Sequence, residues 1–279
     1  MALKFSKYHG YGNDFICIDA RKESRDWALL AQDVCRRGFG VGANGLLIAT
    51  ESTVADIQMT VFNADGSIPE MCGNGLRCFA AYVNHEGIVQ NHVMTVETGA
   101  GVLPLTLSNV DALGCTVSVG MGVAATQEKL PTNDFILTTQ GLSHELMLDG
   151  HTHVFVPVSM GNPHAVIFVD DVSTVDLKRW GPMIENHPMF PHRVNVEFVQ
   201  KVSSNELIMR VWERGVGETN ACGTGACAVV VAGALLRHSD ASAKVQMPGG
   251  TLQIAFDPST HTIQMTGPAT AVYHAELII

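Results

Sequence analysis

Two cysteines stand before the same glycine pattern, Cys72 in MCGNG and Cys222 in ACGTG. Each leads into an apolar run with helical character, GLRCFAAYVNHEG in one case and GTGACAVVVAGALLRHS in the other. A helix start presents backbone N–H groups without intrahelical partners, so it attracts anions, a carboxylate included. The same field is expected to lower a thiol from about 8.5 toward neutrality. Two such groups suit one reaction class above others. Inverting a carbon needs a base on one face and an acid on the other, and a thiolate with a thiol supplies both. The glycines let backbone approach a bound carboxylate, whose ene-diolate form opposed N–H donors would stabilise.

An isolated cysteine in such a chain is more often a small core residue, and Cys17, Cys35, Cys78, Cys115 and Cys227 are read that way. Repetition separates Cys72 and Cys222 from them. FNADGSIPEMCGNG, from 62, aligns without a gap with WERGVGETNACGTG, from 212, and GND at 12–14 precedes the first motif much as GNP at 161–163 precedes the second. A duplicated fold is the expected cause. Seven cysteines with no C-x2-C spacing and no export signal argue for reduced thiols and against a zinc knuckle, so no metal is expected.

The positioning elements follow from hydrophobic pattern. Both runs after the cysteines are apolar nearly all round, which places each helix inside a core. Most of the rest alternates as short strands, FICID, LLIAT, IQMTVF, HAVIFV, VNVEFVQ and ELIMRVW among them. DWALLAQDVCRR and DLKRWGPMIENH have helical spacing, with Gly181-Pro182 expected to kink or break the second. GFGVGANG, at 38–45, lacks the Walker lysine and the dinucleotide fingerprint and reads as a tight turn. The class is α+β: two pseudo-symmetric domains, each a barrel-like curved sheet around its own apolar helix, with the helix starts facing one another across a cleft.

Bulk properties narrow the partners. In 279 residues, 17 Lys and Arg stand against 27 Asp and Glu, a formal charge of -10, so nucleic acid is not expected. The segment from Met1 to Lys7 lacks the apolar centre of a signal peptide and no apolar run is long enough to span a bilayer, so a cytoplasmic protein without membrane contact is expected.

With MCGNG, ACGTG, GNDF, FNADGS, GNPH, RVNVEF and WERGVGET in place, the chain resembles the diaminopimelate epimerases over nearly its whole length. The resemblance implies interconversion of LL- and meso-2,6-diaminoheptanedioate without pyridoxal phosphate, metal or other cofactor, in lysine and peptidoglycan precursor biosynthesis. It implies a C-terminal strand that returns to the first domain, so that the first domain is expected over 1–120 with 268–279 and the second over 121–267, and a homodimer, with Tyr273 at a position associated with the contact. By the same resemblance Cys72 is the proton donor and Cys222 the proton acceptor in the LL-to-meso direction. Gly73, Asn74, Gly223 and Thr224 match positions around the reacting carboxylate, with Gly75 assisting. Asn13, Asn63, Asn162 and Asn195 match substrate contacts. Glu213 and Arg214 suit the distal ammonium and carboxylate, which Arg214 would grip bidentately. His164 and Glu213 are expected to bias which cysteine is ionised.

In one place the chain departs from that pattern: Gly45 stands where many relatives carry glutamine, which leaves a backbone contact, a water or Asn44 to serve instead. Two other readings of the residues stay open. One is a racemase of proline type, and the other is a redox or metal-binding module in which Cys72 and Cys222 form a disulfide or hold a metal with His164.

Overall fold

The computed structural model describes residues 2–69, 72–131, 133–137 and 141–278. The chain divides into two compact units, Met1–Gly120 with Thr266–Ile279, and Met121–Met265.

In the first unit the strands are β1 (Ala2–Gly10), β2 (Asn13–Asp19), β3 (Gly45–Thr50), β4 (Ile57–Asn63), β5 (Val93–Thr98), β6 (Gly101–Asp111) and β7 (Gly114–Val123). They pair in sequence order. The second unit holds β8 (His144–Leu148), β9 (His151–Ser159), β10 (Pro163–Val169), β11 (Asn195–Ser203), β12 (Glu206–Glu213), β13 (Gly217–Thr219), β14 (Ser242–Met247) and β15 (Gly250–Phe256). Its main order is β15-β14-β12-β11-β10-β9-β8, with β13 on β12. The last strand, β16 (Thr262–Ile278), starts beside β15 and continues into the first unit, where it pairs with β7 and, from Thr270 to Ile278, with β1. That double pairing closes the first sheet into a barrel, leaving it no free edge.

Helix α1 (Trp27–Val34) lies on the outside of the first unit's core and α3 (Leu177–Glu185) packs on β11, β12 and β13. The central helices are α2 (Gly73–His85), packed on β1, β2, β3, β4 and β6, and α4 (Gly223–Leu235), packed on β9, β10, β11, β14 and β15. Residues Asn74 to Val83 of α2 and Gly225 to Gly233 of α4 are buried. Surrounded on every side, neither helix needs a polar face. Gly87, at φ 68°, follows the end of α2 in the left-handed region. After α4 that conformation falls on Arg237 at φ 58°, with no glycine.

Of the kink or break expected at Gly181-Pro182, the break does not occur, and α3 runs through both residues. Gly181 is there for contact: a Cβ would come within 2.5 Å of the Trp212 ring. The Pro182 carbonyl, near the helix end, accepts from both the backbone N–H and the side-chain amide of Asn186.

Arg77 is fully buried in α2, where its Nε donates to the Pro268 carbonyl at 3.2 Å and its Nη2 to Asn74 Oδ1 at 2.7 Å. Gly10 makes room for it, since a Cβ there would lie 2.9 Å from Nη2. Arg77→Ala would empty a large buried volume and strip both acceptors of their donor. The expected cost is about 3–5 kcal/mol, read as a lower denaturant midpoint with reduced activity from the loosened Asn74.

Candidate active site

Both motif cysteines are helix N-caps of the same kind. Cys72 (φ -142°, ψ 98°) and Cys222 (φ -127°, ψ 113°) each turn Sγ toward the helix and accept the N–H three residues on, from Gly75 and Gly225 respectively, at 3.3 Å. Asp, Ser, Thr and Asn usually fill this position. A thiol there is aligned with the first turn and leaves the N–H groups of the two intervening residues without an intrahelical partner. Cys72 is half-buried and Cys222 buried. The other five cysteines are buried, as read from the sequence, and all seven are unbridged.

Within each unit, the matched motifs lie at the ends of three adjacent strands with the same pairing. In the first, β2 runs parallel to β3 with Phe15 opposite Gly45, and β3 antiparallel to β4 with Gly45 opposite Asn63. In the second, β10 runs parallel to β11 with His164 opposite Asn195, and β11 antiparallel to β12 with Val196 opposite Trp212. Asn13 and Asn162 each lie two residues before the first partner. Gly45 therefore holds in the first unit the register position that Asn195 holds in the second.

The amide missing at Gly45 has a neighbour in its place. Asn44 Nδ2 donates to Asn13 Oδ1 at 2.9 Å, while Arg37 Nη2 donates to Asn44 Oδ1 at 2.9 Å and pairs with Asp14 at 2.6 Å. Lys7, buried, pairs with Asp14 at 2.8 Å and also donates to the Gly42 carbonyl. Burial alone would push the Asp14 carboxyl up, but the hydrogen bonds and charges of Arg37 and Lys7 hold it below its ordinary value. Asn44 thus braces Asn13. Asn63 donates to Ser67 Oγ at 2.9 Å across the NADGS turn.

In the second unit Asn195 is almost wholly committed to structure. Its Nδ2 donates to the Pro163 carbonyl and its Oδ1 accepts the Arg214 N–H, each at 2.9 Å. The turn that carries Glu213 and Arg214 is braced again by Glu185 of α3. That buried carboxylate accepts from Trp212 Nε1 at 2.7 Å and from the Gly215 N–H at 2.8 Å. Arg214 Nη1 donates to the His192 carbonyl at 3.3 Å.

Around Cys222 the electrostatics differ from the sequence-based expectation. Burial raises the thiol well above its ordinary value, Glu213 and Glu197 add to this, and the Thr224 hydroxyl and Gly225 N–H only partly oppose it. The helix start does favour the thiolate, but desolvation and two carboxylates outweigh it. Glu213 is itself raised by burial, against hydrogen bonds from Thr219 and Cys222 and the field of His164, with Glu197 raising it further. A buried thiol hydrogen-bonded to a carboxyl of raised affinity is a couple between which a proton can pass.

Glu197 went unnoticed in the sequence. It is fully buried on β11, and its Oε1 meets His164 Nδ1 at 2.7 Å. The one sequence signal was a carboxylate inside the apolar run VNVEFV. A Cβ built on Gly225 would lie 2.8 Å from Glu197 Oε1 and 3.2 Å from Cys222 Sγ, whereas the nearest atoms to one on Gly75 are Cys72 Sγ at 3.2 Å and Leu47 Cδ2 at 3.3 Å. Gly225→Ala is therefore expected to destabilise by about 1–3 kcal/mol despite the better helix former, and Gly75→Ala by less. Thermal melting of the two variants side by side checks the order.

Among the described residues there is no cluster of three or more His, Cys, Asp or Glu disposed to hold a metal ion, and no helix long and apolar enough to cross a membrane.

The family profile of diaminopimelate epimerase matches residues 5–126 and 156–272. The chain is 44% identical over 277 residues to a diaminopimelate epimerase of Moorella thermoacetica, covering 98% of this chain and 99% of the relative. It is 45% identical over 283 residues to one of Desulfitobacterium hafniense, covering 99% and 98%. Among solved structures, a PhzF-family phenazine biosynthesis protein of Bacillus anthracis superposes over 100% of both chains with TM-score 0.72 at 17% identity. A hydroxyproline epimerase of Agrobacterium vitis, solved with trans-4-OH-L-proline, superposes over 99% of this chain and 92% of its own with TM-score 0.71 at 13% identity. These two likenesses establish the fold.

Proposed function

The chain belongs to the diaminopimelate epimerase family, and we propose that Cys72 and Cys222 are the two acid–base groups with which it interconverts LL- and meso-2,6-diaminoheptanedioate. The enzyme is an isomerase that acts at the α-carbon of an amino acid on the route to lysine. What carries the assignment of the thiols is their matched pair of N-caps, two sulfurs held alike at the starts of two central helices.

In the LL-to-meso direction Cys222 takes the α-proton and Cys72 delivers one to the opposite face, and the roles reverse on return. Cys222 must first lose its own proton. Glu213, hydrogen-bonded to it and raised by burial, is the acceptor, and the field of His164 lowers the cost of the anion. The N–H groups of Gly73, Asn74, Gly223 and Thr224 bind the reacting carboxylate and take up the charge that develops on it. Asn13, Asn63 and Asn162 orient the substrate's polar groups, Asn195 joins them only through the second hydrogen of its amide, and Glu213 and Arg214 read the distal end. Paired thiols keep this chemistry only in a reducing compartment, which suits the cytoplasm. The half-exposed face of β16 bearing Val272 and Tyr273 is the contact surface of a homodimer, checked by sedimentation of wild type against Tyr273→Ala.

Purified reduced protein stripped of pyridoxal phosphate is the test. Incubated separately with LL-diaminopimelate, proline and hydroxyproline, it is expected to epimerise the first alone. Turnover of a proline substrate with diaminopimelate untouched would overturn the assignment.

A further inference from the structure

Glu197 has no role in the scheme above, yet among the described residues of the second unit no other carboxylate is so enclosed. Both it and His164 are fully buried. His164 is its ion-pair partner among the described residues, and its Oε2 has no hydrogen-bond partner there. A buried carboxylate with one oxygen unpartnered is costly unless a cation neutralises it. From Glu197 a continuous chain of contacts leads to the first turn of α4. Glu197 Oε1 meets His164 Nδ1 at 2.7 Å, His164 Nε2 meets Asn162 Oδ1 at 3.1 Å, Asn162 Nδ2 donates to Thr224 Oγ1 at 3.5 Å, and Thr224 Oγ1 lies 3.6 Å from Cys222 Sγ.

The direction of each hydrogen bond follows from its neighbour. A carboxylate only accepts, so His164 Nδ1 donates to it. With the Asn162 carbonyl oxygen turned to Nε2, that nitrogen would donate too, which would make His164 an imidazolium. The Asn162 amide then offers its NH2 to Thr224, whose oxygen accepts and whose own hydrogen is left to point at Cys222 Sγ. A neutral His164 with its proton on Nδ1 reverses the sequence. Its Nε2 would accept, Asn162 would turn its amide over, and Thr224 would donate to the Asn162 oxygen instead of to sulfur.

We propose that Glu197 is a positioning residue for proton transfer at Cys222: by holding His164 doubly protonated it fixes the Asn162 amide and so directs the Thr224 hydroxyl at the sulfur. The hydroxyl's hydrogen bond favours the thiolate that the reaction needs, and it opposes the burial and the Glu213 and Glu197 charges that otherwise keep Cys222 a thiol; a protonated His164 against Glu197 offsets the part of that charge which Cys222 feels. Among the described residues, the titratable groups that act on His164 are Glu197 from β11, by contact, and Glu213 at the end of β12, through its field, with Cys222 reached only by way of Asn162 and Thr224. Of these, Glu197 makes the direct contact. The catalytic consequence rests on the function proposed above, while the state of His164 does not.

Two measurements on the full chain separate them. The first is 15N NMR of the histidine rings in substrate-free wild type, with the His164 signal assigned by its loss in His164→Gln. Both His164 nitrogens are expected at protonated positions at neutral pH, and in the isosteric Glu197→Gln one of them is expected to lose its proton. A neutral His164 in wild type would overturn the proposal, and this result stands whether or not the variant folds. The second is steady-state kinetics. Glu197→Gln is expected to lower kcat about ten- to a hundredfold with KM little changed, and Glu197→Asp, which keeps the charge, to recover part of the loss. Wild-type kcat in Glu197→Gln with unchanged melting would also overturn it. Should wild type fail to epimerise diaminopimelate while His164 proves doubly protonated, the functional reading falls and the Glu197–His164 pair stands.

Discussion

Replacing Cys222 by alanine lowers epimerisation of diaminopimelate by about 10³-fold or more, and Cys72→Ala does the same, because either change leaves one face of the α-carbon without its acid or base. The fold should survive both, since each substitution removes a single atom from a cap whose helix is held by burial along most of its length. Cys227→Ala supplies the control. It lies on the same helix, fully buried, and its loss is expected to cost stability with turnover close to wild type. Circular dichroism with the kinetics of all three variants distinguishes a lost base from a lost fold. Comparable turnover in Cys222→Ala and Cys227→Ala would rule out the assignment of Cys222.

Arg214→Leu is the other large effect. The backbone of this residue is pinned by Asn195 on one side, and the next residue's N–H by Glu185 on the other, so its turn is ordered by two buried side chains. A guanidinium fixed this way can bind a carboxylate through two parallel hydrogen bonds, which sets a dicarboxylate apart from a simple amino acid. Removing it should lower kcat/KM for diaminopimelate about 10²- to 10³-fold, mostly through KM. Lysine is a poor replacement, since it lacks the planar fork. Glu185→Gln, which weakens the brace but leaves Arg214 in place, should give a smaller loss of the same kind. A normal KM in Arg214→Leu would place distal recognition elsewhere.

The cysteines were legible in the sequence because they recur in the same local context, and local context decides how a helix starts. The central helices were legible for a related reason, as apolar residues on every side of a run leave no surface for water. Other features depend on contacts that sequence spacing does not reveal. Glu197 and Glu185 sit far along the chain from what they hold, and each is reached only through strand register or a packed helix. Asn44 bracing Asn13 likewise requires β2 and β3 to be parallel neighbours. Gly181-Pro182 suggested a kinked or broken helix, yet helix α3 continues through both residues, where Gly181 fits closely on Trp212. The ionisation of Cys222 differs most. Read locally, a helix start lowers a thiol, but burial with Glu213 and Glu197, from adjacent strands, reverses the direction.

Two thiols acting from opposite faces leave an isotopic signature that one base cannot. In D2O, the thiol that donates has exchanged with solvent, while the thiol that abstracts holds the substrate's own hydrogen, and internal return simply restores it. Mass spectrometry of the first few per cent of conversion from LL-diaminopimelate should find deuterium at the inverted carbon of the meso product and none in the remaining LL isomer. Meso product that keeps its original hydrogen, or an LL pool that exchanges as fast as product forms, would contradict the two-thiol account.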